Sequence, residues 1–122
     1  MNYKFTSDKP IYVQLVDLFK IGILSGELAL GSKLDSVREL AVDAKVNPNT
    51  MQKALSELEK LGLVRTERTS GRFITDDSGK IAAMRKELAE SEIGGFLEKM
   101  KTLGFSNAEV ISLISELIEG EL

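Results

Sequence analysis

Asn49, Thr50, Gln52 and Lys53 fall within one five-residue stretch that follows Asn47-Pro48. Amide side chains can pair bidentately with adenine N6 and N7, and lysine or arginine donates to guanine O6 and N7. The stretch therefore carries major-groove chemistry if one helix face presents it. Alone, a polar helix face is ordinarily just solvated. A second set of groups changes the balance: Arg65, Arg68 and Arg72 surround Thr69-Ser70-Gly71, and three guanidiniums around one turn suit a phosphate backbone. Cross-strand pairing with Glu67 would account for one of them and leave two. Arg38 is a further candidate for a phosphate or a base edge, with a surface pair to Asp35 or Glu39 as its other reading.

Other chemistries find little to work with. The 122 residues include no cysteine and no histidine, which removes thiolate nucleophiles, disulfides, the usual zinc sites and the commonest general base. The carboxylates are spread along helix-like stretches, with no Gly-rich phosphate loop or nucleophile elbow beside them. An enzyme is not expected, nor a cofactor or a metal. Hydrophobic residues make up 43% and charged residues 29%, an ordinary balance for a globular domain. No stretch approaches the roughly 20 apolar residues of a membrane span, and the start lacks a signal peptide's apolar core, so a cytoplasmic protein without a membrane partner is expected. The net charge of −3 weighs against nucleic acid, but it is unevenly distributed. Residues 1–76 hold 11 Lys/Arg against 10 Asp/Glu, whereas residues 77–122 hold 5 against 9.

The candidate groups need elements to position them, and the punctuation of the chain supplies these. Pro10 reads as standing at or near the first position of a helix that carries Ile11, Leu15, Leu18, Phe19 and Ile23 at helical spacing and ends at Ser25-Gly26. Ser36-Val37-Arg38-Glu39 has the form of a capping box opening a second helix over 37–44. Lys45-Val46-Asn47-Pro48 makes a short turn, with Asn47 as N-cap and Pro48 beginning a third helix over 48–61, closed by Gly62. Met51, Ala54, Leu55, Leu58 and Leu61 form the core stripe of that helix, leaving Asn49, Thr50, Gln52 and Lys53 outside it. Leu63–Arg68 and Arg72–Thr75 read as two strands around the Gly71 turn. Two helices across a tight turn, followed by a basic hairpin, describe a winged helix-turn-helix.

Three segments carry a more specific likeness: Leu34-Asp35-Ser36-Val37-Arg38-Glu39-Leu40-Ala41, Val46-Asn47-Pro48-Asn49-Thr50, and Ala54-Leu55-Ser56-Glu57-Leu58-Glu59-Lys60-Leu61-Gly62-Leu63-Val64. Together they resemble the N-terminal domain of the GntR family of bacterial repressors, over about residues 10–75. The resemblance implies that Arg38, Asn49, Thr50, Gln52 and Lys53 fall at or beside DNA-contact positions, and that the Gly71 hairpin is the family's wing. Three positions depart from the family pattern. Asp35 stands where proline is usual, Thr69 replaces the first glycine of an Arg-Gly-x-Gly tip, and Gln52 stands where many members carry arginine.

Asp76–Gly79 reads as a linker, followed by a long helix from about Lys80 to Leu103, an end at Gly104, and a Ser106–Glu109 capping box that opens a last helix to about Glu119. About 43 residues are too few to enclose a ligand cavity of roughly 300 Å³ in one subunit. The two-helix tail resembles the YtrA-type branch, whose tail serves dimerisation. Val110, Ile111, Leu113, Ile114, Leu117 and Ile118 make a stripe wider than one neighbouring helix covers, which marks an interface. Ile93, Phe96, Leu97 and Met100 join it on the longer helix, where a plain core role is the other reading. Gly94-Gly95 interrupts that helix and suggests a kink or a close helix crossing.

The expectation is a mainly α protein with a small β-hairpin: a DNA-binding winged helix-turn-helix over 1–76 and a helical dimerisation extension over 77–122. Asn47, Asn49, Thr50, Gln52, Lys53, Arg38, Arg65, Arg68, Gly71 and Arg72 are its expected contacts to double-stranded DNA. A homodimeric regulator, acting as a repressor on an inverted-repeat operator, is the leading function. The alternative is a winged helix used only for protein interaction, which the acidic pI and the uncharged reading face favour. The operator, the regulated genes and any small-molecule effector are not legible.

Overall fold

Leu15, Phe19 and Ile23 recur every four residues, so one stripe of the first helix is apolar along its length and must be covered. The computed structural model describes residues 1–121. Its elements run α1 (Ile11–Ser25), α2 (Val37–Ala44), α3 (Pro48–Lys60), β1 (Val64–Glu67), β2 (Gly71–Ile74), α4 (Ser78–Thr102) and α5 (Asn107–Glu121). The chain forms two compact units, Met1–Ala82 and the residues from Ala83 onward.

In the first unit the α1 stripe packs chiefly on α3, whose Met51, Leu55 and Leu58 are fully buried with Leu15, Phe19 and Ile23. Leu40, Ala41 and Ala44 of α2 extend this core, and Leu63, Val64 and Ile74 close it from the hairpin side. β1 and β2 pair antiparallel, with Val64 opposite Ile74 and Thr66 opposite Arg72. Ser32–Leu34 adds a third edge along β2: the Ile74 N–H donates to Ser32 O at 2.8 Å and the Leu34 N–H to Arg72 O at 2.9 Å. This edge ties the wing to the segment that enters α2.

Local chemistry explains most of the helix ends. The Glu39 N–H donates to Ser36 Oγ at 3.2 Å and the Ser36 N–H to Glu39 Oε1 at 3.3 Å, so both halves of the capping box are made. Asn47 Oδ1 accepts from the Asn49 N–H at 2.8 Å and caps α3. Gly62, at φ 75°, closes α3 in the left-handed region, and the Leu63 N–H reaches back to Leu58 O at 3.0 Å.

Pro10, expected at or near the first position of α1, is its N-cap, with an extended ψ of 143°. Three expectations need adjustment. The expected linker is shorter, because Asp77 Oδ1 accepts from the Lys80 N–H at 3.0 Å and starts α4 at Ser78. α4 then continues through Gly94-Gly95, and a Cβ at either glycine would meet nothing within 4 Å, so no close crossing is made there in the single chain. α5 extends to Glu121, two residues beyond the sequence reading.

In the second unit Gly104 ends α4, and Ser106 and Glu109 form a second reciprocal cap, at 3.0 and 3.2 Å. Hydrogen bonds from the Ser106 N–H and then its hydroxyl hold the Glu109 carboxyl below its ordinary range. Among the described residues no helix is long and apolar enough to cross a membrane.

Candidate nucleic-acid interface

The turn between α2 and α3 is tight because Lys45 adopts the left-handed conformation (φ 58°) and its N–H donates to Ala41 O and Val42 O. Three residues later Pro48 is already helical. α3 buries Met51, Ala54, Leu55 and Leu58 and turns Asn49, Gln52 and Lys53 outward, with Thr50 half-buried. No hydrogen bond of the Asn49 amide group is made among the described residues. Asn47, also expected at the interface, uses its carbonyl oxygen on the cap and keeps only its amide N–H groups for other partners.

The cations divide into two groups. Arg38 and Arg68 are exposed and form no ion pair among the described residues. The Glu39 that could have paired with Arg38 is engaged in the capping box instead. The others are engaged. The Lys53 ammonium lies 3.9 Å from the centroid of the Tyr12 ring on α1, at cation–π distance. Arg65 pairs with Glu67 and lies over the ring of its cross-strand neighbour Phe73, 4.9 Å from the centroid. Arg72 turns toward α3 rather than solvent: its Nε donates to Glu59 Oε1 and its terminal nitrogen to Gln52 Oε1, both at 3.2 Å.

Glu59 is therefore a residue that sequence reasoning missed. It accepts from Arg72 on β2 and from the hydroxyl of Thr66 on β1, two residues that face each other across the hairpin. One carboxylate on α3 thus fastens both strands of the wing. Gln52, Ser56 and Glu59 share a helix face by their spacing, a signal that was present. Their partner on the wing could not be read without the hairpin register. Tyr12, beneath Lys53, left no comparable trace.

Between the wing and the start of α2 lies an open groove of about 850 Å³, lined among others by Lys33, Asp35, Ser36, Glu39, Arg68 and Arg72. Gly71, at φ 105°, forms part of its wall, and the Lys33 stem would be 3.3 Å from a Cβ placed there. The groove is mixed in charge. Asp35 is close enough to Tyr3 that its charge, after burial and Asp43, helps push the Tyr3 phenol above its ordinary range.

In the second unit Ile93, Phe96, Ile111, Ile114, Leu117 and Ile118 are exposed, while Leu97 and Met100 are half-buried. Val110 is 3% exposed, so its side chain is already covered in the single chain and offers no surface to another subunit. Of the expected interface stripe, Val110 is thus the residue with the least surface free in a single chain.

Residues 11–74 match the profile described as bacterial regulatory proteins, gntR family. Over 120 residues the chain is 40% identical to the HTH-type transcriptional regulator YhcF of Bacillus subtilis (strain 168), covering 98% of this chain and 99% of that protein. It is 38% identical over 90 residues to the HTH-type transcriptional repressor YtrA of the same organism, covering 69% of each. Among solved structures it is similar to a GntR family transcriptional regulator from Listeria monocytogenes, with a TM-score of 0.84 and 35% identity over 92% of this chain and 98% of that one.

Proposed function

This chain belongs to the GntR family of bacterial transcriptional regulators and is a regulator with a DNA-binding domain rather than an enzyme; from that premise we propose that it is a cytoplasmic, homodimeric repressor that binds an inverted-repeat operator. The winged helix, residues 1–76, is the DNA-binding part, and residues 77–122 hold two copies together. The observation that carries this reading is the outward face of α3, where Asn49, Gln52 and Lys53 stand clear of the core behind a tight turn. A helix in that setting fits the major groove, with its first turns against base edges. YtrA, which is 38% identical to this chain over 90 residues, is a transcriptional repressor.

The dimer reading rests on α5, where Ile111 is 65% and Leu117 is 70% exposed in a single chain. A second copy of the same helix is the occupant that would cover such a face, and a twofold dimer presents α3 twice, to two half-sites related by inversion. Selection from random duplexes is expected to recover an inverted repeat. Recovery of sequences without symmetry would remove the dimeric operator model. In competition titrations against all single-base variants of a half-site, Asn49→Ala is expected to lose about 1–3 kcal/mol at one base pair and little elsewhere. A uniform loss would take Asn49 out of the reading role.

Arg68, at the wing tip and unpaired among the described residues, is assigned to phosphate. Arg68→Ala is expected to weaken binding to every duplex alike and to flatten the slope of log K against log salt by about one unit. A wild-type slope near zero would favour the protein-interaction reading instead.

A further inference from the structure

Resting on this DNA-reading assignment, we propose that Arg72 is a specificity-determining residue, which Glu59 holds against Gln52 so that this position favours guanine over adenine. Taken alone, Gln52 offers an acceptor and a donor, the complement of adenine N6 and N7. In the structure it is not alone. The Arg72 guanidinium donates to Gln52 Oε1 at 3.2 Å, and Gln52 Nε2 donates to Ser56 Oγ at 3.2 Å. A guanidinium has donors only, so the amide atom facing Arg72 has to be the oxygen, and the orientation of the amide follows from the network.

The consequence is electrostatic. Gln52 Oε1 keeps a second lone pair, but an adenine amino group approaching it meets the positive guanidinium and its remaining N–H groups. Guanine O6 and N7 are both acceptors, and they would meet the second Gln52 amide hydrogen and the outer N–H groups of Arg72 together. Glu59 makes this arrangement persist, because it binds Arg72 Nε at 3.2 Å and is anchored by the Thr66 hydroxyl. The Arg72 side chain is only 21% exposed, so it is enclosed between the wing and α3 rather than extended toward a phosphate. The reading surface is thereby shared between α3 and the wing.

The test is a competition titration of the selected operator with all four bases at the pair sensitive to Gln52→Ala, using the full-length protein. Wild type is expected to prefer guanine there. Arg72→Met, which keeps the apolar stem but removes the donors, is expected to change the guanine-to-adenine ratio at that pair by about tenfold toward adenine, with other positions unchanged. Glu59→Gln is expected to shift the same ratio in the same direction by less, and its unfolding midpoint checks that the wing is intact. Arg72→Lys keeps the charge and a donor for guanine but not the fork that bonds Glu59 and Gln52 together, so its guanine-to-adenine ratio is expected to fall by less than that of Arg72→Met, whereas a phosphate role would leave the base pattern of both variants as in wild type. An equal loss for every base in Arg72→Met, with a salt slope lower by about one, would overturn it. So would a wild-type preference for adenine. A wild type that binds all duplexes equally would remove the DNA-reading premise, and the proposal with it.

Discussion

Ile114→Asp is expected to sediment as a monomer and to lose about a hundredfold or more of its affinity for a two-half-site operator, while its affinity for a single half-site is unchanged. Ile114 lies in the middle of the α5 face, one turn from both Ile111 and Ile118, and is still 38% exposed in the single chain. A second copy would take that remaining surface out of water. A carboxylate there would be buried without a partner at both twofold-related positions, and an unpaired buried charge costs several kcal/mol. The monomer itself is spared, because an exposed aspartate on an isolated helix costs only a few tenths of a kcal/mol in propensity. Sedimentation and half-site titration separate the two effects. A wild type that is already monomeric at tens of micromolar would overturn the dimer.

Phe19→Ala is expected to destabilise the first unit by about 3–5 kcal/mol. Phe19 is 1% exposed at the centre of the α1 stripe, and its ring lies 6.5 Å from that of Tyr3, so it also anchors the N-terminal segment. Gln14 provides the second anchor, through hydrogen bonds to the backbone of Thr6 and Lys9. Removing the ring leaves a cavity that the fully buried Leu15, Met51 and Leu55 cannot fill without moving backbone. Since domains are stable by only about 5–15 kcal/mol, such a loss brings the unit close to unfolding. In urea the midpoint should fall with little change in slope, and operator binding should disappear well below the wild-type melting temperature. A loss under about 1 kcal/mol would mean that Phe19 is not central to the packing.

The helical framework was legible in the sequence because its signals are local. Ser36 and Glu39 cap a helix through atoms three residues apart, Pro48 and Gly62 bound another, and the four-residue repeat of Leu15, Phe19 and Ile23 requires a partner stripe of the kind Met51, Leu55 and Leu58 provide. The likeness to the GntR family followed from the same short segments, and the match over residues 11–74 is the family itself. The start of α4 is ambiguous in the sequence because an Asp followed by Ser-Gly suits a linker or a cap equally well, and only the bond from the Lys80 N–H to Asp77 decides between them.

By itself, then, the sequence determined the order of the elements, most of their ends, the winged-helix class and the set of polar side chains that α3 presents. All of these depend on contacts within a few residues or on a repeat along one element. Only the tertiary structure decided which of those side chains have partners. Arg72 meets Glu59 thirteen residues away and Gln52 twenty residues away, because the hairpin register turns its side chain toward α3. Lys53 meets Tyr12 because α1 crosses beside α3. Residue type sets what a group can donate or accept, but its free valence depends on what the fold brings within about 3 Å, and that is a property of packing rather than of spacing.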